Sequence, residues 1–152
     1  MTWKTHTVQA AITAAAASGY LTAAEVAALF ASIILIDVDH YFDFVVVCGR
    51  YSIRDMFKFH RYVWEHKYGI YGLNVFHTLE VFAALFVLGF LNRYFWIILA
   101  GFVMHMALDL ISLLHHGIIF NRAFSIIEYL IRRRAPSANG YPVPDEAFWD
   151  EP

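Results

Sequence analysis

Residues 94–114 read YFWIILAGFVMHMALDLISLL, an apolar run interrupted chiefly by His105, Asp109 and Ser112. A bilayer core of ~30 Å needs about 20 apolar residues at 1.5 Å each, so this stretch reads as a transmembrane helix. An imidazole and a carboxylate are costly inside hydrocarbon, and ionisable groups at that depth usually mark function. At i and i+4, His105 and Asp109 share one helix face, a turn apart. That is the spacing of paired metal ligands.

On the N-terminal side, residues 69–91 form a second apolar run, and the polar pair Asn92 and Arg93 between the two runs predicts an antiparallel hairpin. The first run carries His77 and Glu80, three residues apart. Counted outward from the turn, Glu80 matches the depth of His105 and His77 nearly that of Asp109, roughly 19 Å and 24 Å away. Two helices would then present four ligand-type groups at matched levels. Both outer flanks are basic, with Arg50, Arg54, Lys58, Arg61 and Lys67 on one side and Arg122, Arg132, Arg133 and Arg134 on the other. The positive-inside rule places these flanks in the cytoplasm and the Arg93 turn outside, with the site in the cytoplasmic half.

Within residues 50–67 the bases fall mostly four apart between Tyr51, Met56, Phe57, Phe59, Val63 and Trp64, the pattern of an interfacial helix. Its basic stripe reads either as a solvated face with a topological role or as a grip on phosphate through Arg50, Arg54 or Arg61. Just upstream, Asp37, Asp39, His40 and Asp43 lie beside an apolar run. Clustered carboxylates repel and resist desolvation, so these either face water at a membrane edge or are held by a cation. Farther back, residues 7–18 are an alanine-rich helix, and Thr22 with Glu25 has the capping-box spacing of a second helix reaching Ile36. Together they form one broken span or a short hairpin. The N-terminal run is too weakly hydrophobic and too polar for cleavage as a signal peptide to be expected. After His115, His116 and Gly117, residues 120–134 predict a further helix at the surface, with arginines at the end favoured by the helix dipole.

The bulk numbers agree with an integral membrane protein: 152 residues, 60% hydrophobic, mean hydropathy +0.53. The expected architecture is all-α, a membrane bundle of about four transmembrane helices with an interfacial basic helix, over residues 1–134. Residues 135–152, with Pro136, Pro142 and Pro144 and four acids, read as a disordered acidic tail. That tail masks a mildly basic remainder within a net charge of −2, which suits an anionic lipid surface, and no nucleic-acid partner is expected. The lone Cys48 permits no internal disulfide, and oligomeric state stays open.

Imidazole with carboxylate and no thiolate suits zinc first, with manganese or iron as alternatives, as one or two ions. Metal-assisted hydrolysis of a phosphoester, which a lipid could supply, is the natural chemistry of such a centre. The metal ligands would be drawn from Asp37, His77, Glu80, His105 and Asp109, with His6, Asp39 and His40 completing or orienting the shell. Asp39 and Glu80 are the candidates for a catalytic role.

The segment Ile36-Asp37-Val38-Asp39-His40 resembles the Pro-Asp-hydrophobic-Asp-His motif of the small inner-membrane-associated metal-dependent hydrolases of LexA-binding type. Gly101 with His105 and Asp109 is similar to that family's Gly-x-x-x-His-x-x-x-Asp, Thr5-His6 to its Thr/Gly-His, and His77-Thr78 to its Thr-His-Ser. The family is in turn similar to zinc-dependent phospholipase C and P1 nuclease, all-helical phosphoesterases. The resemblance implies a metal-dependent hydrolase with His6, Asp37, Asp39, His40, His77, His105 and Asp109 at the carried-over positions. Ile36 stands where the family has proline, Glu80 where it has a small residue, and its His-Arg-Gly is matched only by the more distant His60-Arg61.

Two other classes use the same residues. A cation or proton transporter predicts polar lining continuing toward Arg93, where the sequence is almost wholly apolar. An iron-dependent membrane oxidase predicts several close histidine pairs, and His115-His116 is the one such pair.

Overall fold

The structure is a computed structural model that describes residues 3–66, 72–134 and 141–150. Among these the chain is all-helical, with no strand and one isolated parallel bridge between Gly72 and Arg122. Its helices are α1 (Trp3–Ala17), α2 (Ala23–Leu35), α3 (Val38–Cys48), α4 (Ile53–Glu65), α5 (Leu79–Gly89), α6 (Arg93–His115), α7 (Ile126–Arg132) and α8 (Glu146–Asp150).

α1 and α2 pack on each other as a hairpin, which settles the N-terminal alternative. Thr22 starts α2 with the expected capping box, its hydroxyl accepting from the Glu25 N–H while Glu25 accepts from the Thr22 N–H. The same Glu25 carboxylate accepts from Arg93 at 2.6 Å, which ties the starts of α2 and α6 together. Two helices joined at their N-termini run side by side in one direction, and the contact is close: a Cβ on Gly101 would overlap Ser32 Oγ and press on the Leu29 carbonyl. That close approach carries His105, one turn on, to the end of α2. Ala10, Leu29, Ile33 and Ile97 fill the space between α1, α2 and α6 with a dry core.

α6 has 23 residues, about 34 Å of helix, and is the one described helix long and apolar enough to cross a membrane. Among the described residues the other helices of the expected four-span bundle have no counterpart of that length. The other arm of the hairpin, expected over residues 69–91, is helical only from Leu79 to Gly89, about 16 Å long. Residues 69–71 lie outside those described. Asn74 and Thr78 are extended and bracket a 3₁₀ turn at Val75–His77. The reason is a tertiary partner: the 122–124 strand-like segment passes alongside, with Ala123 N–H donating to the Gly72 carbonyl and Leu79 N–H to that of Phe124. These bonds satisfy backbone groups that a longer helix would have paired internally. Many large apolar side chains on α1, α5 and α6 are exposed, among them Val8, Ile12, Phe86, Val87, Val103 and Ile111.

The basic stretch forms α4, started by Ser52 accepting from the Asp55 N–H. Lys58 departs from the solvated stripe: it is buried and donates to the Trp149 carbonyl at 3.1 Å. Lys67 lies outside the described residues. The acidic tail also differs from expectation where it is described, since Trp149 is buried against Phe44 and Phe59, with Tyr141 and Phe148 packed on the same cluster. Three aromatic rings overcame the solvating effect of the acids and prolines. The remaining tail, residues 135–140 and 151–152, lies outside the description. The predicted helix at 120–134 is shorter, α7 following a 3₁₀ turn at Ile119–Asn121, and Arg132 sits in its last turn as expected.

Candidate metal centre

α2 ends at Leu35, so the Ile33 carbonyl is one of the last four and lacks an intrahelical partner. His105 Nδ1–H donates to it at 2.7 Å. A proton on Nδ1 leaves the lone pair of a neutral imidazole on Nε2, which here is buried without a hydrogen-bond partner. His77, in the 3₁₀ turn, repeats the arrangement. Its Nδ1–H donates to Asp39 Oδ2 at 3.0 Å, and its Nε2 is also buried without such a partner. His6, from α1, does the same through Gln9: the Gln9 amide donates to the Met104 carbonyl, so Oε1 faces His6 Nδ1 at 3.3 Å and accepts its proton. The His6 ring stacks on His105 at 3.8 Å. Three imidazoles from three elements are thus anchored by Nδ1 and turn Nε2 inward.

Two carboxylates meet them. Asp37 Oδ1 lies 3.3 Å from His105 Nε2 and 3.5 Å from His77 Nε2. Asp109 places Oδ1 3.3 Å from His6 Nε2 and Oδ2 3.6 Å from His105 Nε2. Ligands held 2.0–2.1 Å from a tetrahedral zinc stand about 3.3–3.4 Å from one another, which these spacings approach. The atoms form two triads, His6–His105–Asp109 and Asp37–His77–His105, each within 4.8 Å. Both triads use His105, and one imidazole lone pair serves one ion. With the imidazoles neutral, Asp37, Asp39 and Asp109 against Arg122 leave two negative charges, which a divalent cation would cancel. The buried histidines and aspartates therefore fit a metal ion.

His40 is different. Arg122 Nε donates to Asn74 Oδ1 at 3.2 Å, which fixes the amide so that Asn74 Nδ2 donates to His40 Nδ1 at 2.9 Å and to Asp43 at 3.0 Å. His40 must then carry its proton on Nε2, 3.3 Å from Asp37 Oδ1. It orients a ligand instead of being one. Asp39 is 4% exposed and accepts from both His77 and the Phe76 N–H, contacts that orient the His77 ring. Behind this shell, burial pushes the Asp43 carboxyl up to about 6 and the His60 imidazole down to about 4.

Seven of the eight expected metal ligands and orienting groups therefore converge, but Glu80 does not. It sits in the first turn of α5 and accepts from Ser125 Oγ and the Ile126 and Ile127 N–H groups, capping α7. The matched-depth argument failed because His77 and Glu80 are not on one helix. Arg50 is also elsewhere, paired with Asp55 and Glu146 and stacked over Trp149. Arg54 and Arg61 do line the cleft above the cluster. Asn74, Gln9 and the buried Arg122 were missed as site residues; Arg122 stood out in sequence only as a flanking base.

In comparisons with known proteins, no family model, curated protein or solved structure matches the chain. His6, Asp37, Asp39, His40, His77, His105 and Asp109 belong to one bonded network.

Proposed function

We propose that the protein is a membrane-embedded, metal-dependent hydrolase of a phosphoester, with His6, Asp37, His77, His105 and Asp109 as the metal ligands and zinc as the preferred ion. The observation that carries this reading is the trio of histidines with Nδ1 anchored and Nε2 turned toward two carboxylates in two triads that share His105. A divalent ion held there supplies positive charge that acidifies a water and offsets charge developing on phosphoryl oxygens. The side chains of this cluster that also line the cleft are His6, Asp37 and His40, so reactants reach it from that side. His40 holds Asp37 in place, and Arg54 and Arg61 attract the phosphate. The motif resemblance to the small inner-membrane hydrolases supports the same class.

The membrane part of the reading rests on α6 and on the exposed apolar side chains beside it. Lys4, Arg54, Arg61, Arg122 and Arg132 lie toward the site end, whereas Arg93 at the far end is paired with Glu25. By the positive-inside rule the site end is cytoplasmic, at the inner or plasma membrane. A transport path is disfavoured by the dry core of Ala10, Leu29, Ile33 and Ile97 toward Arg93. An iron oxidase is disfavoured because His116 donates to the Ser112 carbonyl outside the cluster. The test is hydrolysis of bis-p-nitrophenyl phosphate by purified protein: turnover lost on chelation and restored by zinc is expected. Turnover indifferent to chelation, or none with any divalent ion, would sink the reading.

A further inference from the structure

The cleft over the cluster is much larger than a soluble phosphate needs, about 860 Å³, near the upper end of ordinary ligand sites. Its floor is His6, Asp37 and His40. Four basic residues line the cleft: Lys58 donates to the Trp149 carbonyl, while Lys4, Arg54 and Arg61 stand around that floor, and neither guanidinium has an ion-pair partner among the described residues. Apart from His60 and Lys58 the rest of the wall is apolar, and much of it is open: Trp3, Leu35, Val38 and Phe57 are 59%, 59%, 42% and 48% exposed. A site for a nucleotide or sugar phosphate would need polar partners for hydroxyls and base edges along that wall, and these four side chains offer apolar surface instead. The bases require an anion at one end, and the apolar wall requires hydrocarbon beyond it.

We infer that the cleft takes a phosphate-bearing lipid, with its headgroup over His6, Asp37 and His40 between Arg54, Arg61 and Lys4 and an acyl chain along Trp3, Leu35, Val38 and Phe57. This deepens the hydrolase reading and rests on it for the chemistry, while the cleft and its charges carry the choice of ligand. α4 then has a second role besides topology. It forms the wall that brings guanidinium groups to a headgroup while Phe57 and Trp64 stay with the chain.

The test uses the full chain reconstituted in phosphatidylcholine nanodiscs, with brominated phosphatidic acid or brominated phosphatidylcholine as probe and tryptophan quenching as readout, because Trp3 and Trp64 line the cleft. The expected result is a saturable quenching component specific to phosphatidic acid. It weakens at least tenfold in the Arg54→Gln, Arg61→Gln double variant, while bound metal is unchanged. Equal, unsaturable quenching by both probes in a protein that binds zinc and turns over bis-p-nitrophenyl phosphate would overturn the lipid assignment and leave the hydrolase reading standing. Saturable phosphatidic acid binding in a protein that binds no metal would overturn the hydrolase reading and support the lipid site alone.

Discussion

Asp39 was expected either to take a catalytic role or to orient the metal shell, its contacts are those of an anchor for His77, and Asp39→Asn separates the two roles. Its Oδ2 accepts from His77 Nδ1 and from the Phe76 N–H, both at 3.0 Å. An amide keeps the shape and can accept through its oxygen, but it removes the charge that strengthens His77 as a ligand. Partners of this kind typically contribute 10–100-fold in metal affinity, about 1.4–2.7 kcal/mol. Asp39→Ala would be harsher, leaving two buried donors unpaired at roughly 1–3 kcal/mol each, and so confounds binding with folding. The assay is zinc affinity by competition with a chromophoric chelator, alongside bis-p-nitrophenyl phosphate turnover as a function of added zinc. Asp39→Asn should bind zinc 10–100-fold more weakly and recover most turnover at saturating zinc. Unchanged zinc affinity with turnover lost at every zinc concentration would refute the anchoring role and return Asp39 to the reaction itself.

Glu80→Ala should leave bound metal unchanged and lower the thermal midpoint, because it removes the acceptor for the α7 N-terminus; loss of metal would mean that Glu80 belongs to the centre after all. Trp149→Ala should cost about 3–5 kcal/mol, measured by denaturant unfolding, since its ring fills the cluster with Phe44 and Phe59; a change near zero would restore the solvated tail. Asp43, raised to about 6 by burial, contributes stability that is fully present below its unfolded pKa near 4 and lost as pH rises through about 6. Asp43→Asn should therefore flatten the difference in stability between pH 4 and pH 7 relative to the parent, and an unaltered pH profile would contradict it.

The residues that mattered were visible in sequence, but their supports were not. His105 and Asp109 declare themselves because a helix face is a local property and polar groups in an apolar run are conspicuous. Asp37 and His40 were flagged by charge density and by the Asp-Val-Asp-His segment they share. What failed was depth matching between His77 and Glu80, which assumed one continuous helix; the break at Thr78 comes from a bond between Leu79 N–H and the Phe124 carbonyl, 45 residues away. The same limit hid Asn74 and Arg122, which hold each other, the tautomer of His40 and, through Arg122, the Asp109 carboxylate. Trp149 likewise escaped because composition argued for solvation while three rings argued for burial.

In the proposed centre His6, Asp37, His77, His105 and Asp109 hold a divalent ion, and elemental analysis of the purified full chain, after equilibration with zinc and removal of free metal, reads this out. About one zinc per chain is expected, since both triads share the single Nε2 lone pair of His105. That zinc should be lost in His105→Ala and retained in Glu80→Ala. A parent protein without stoichiometric metal, or a His105→Ala variant that binds as much as the parent, would contradict it.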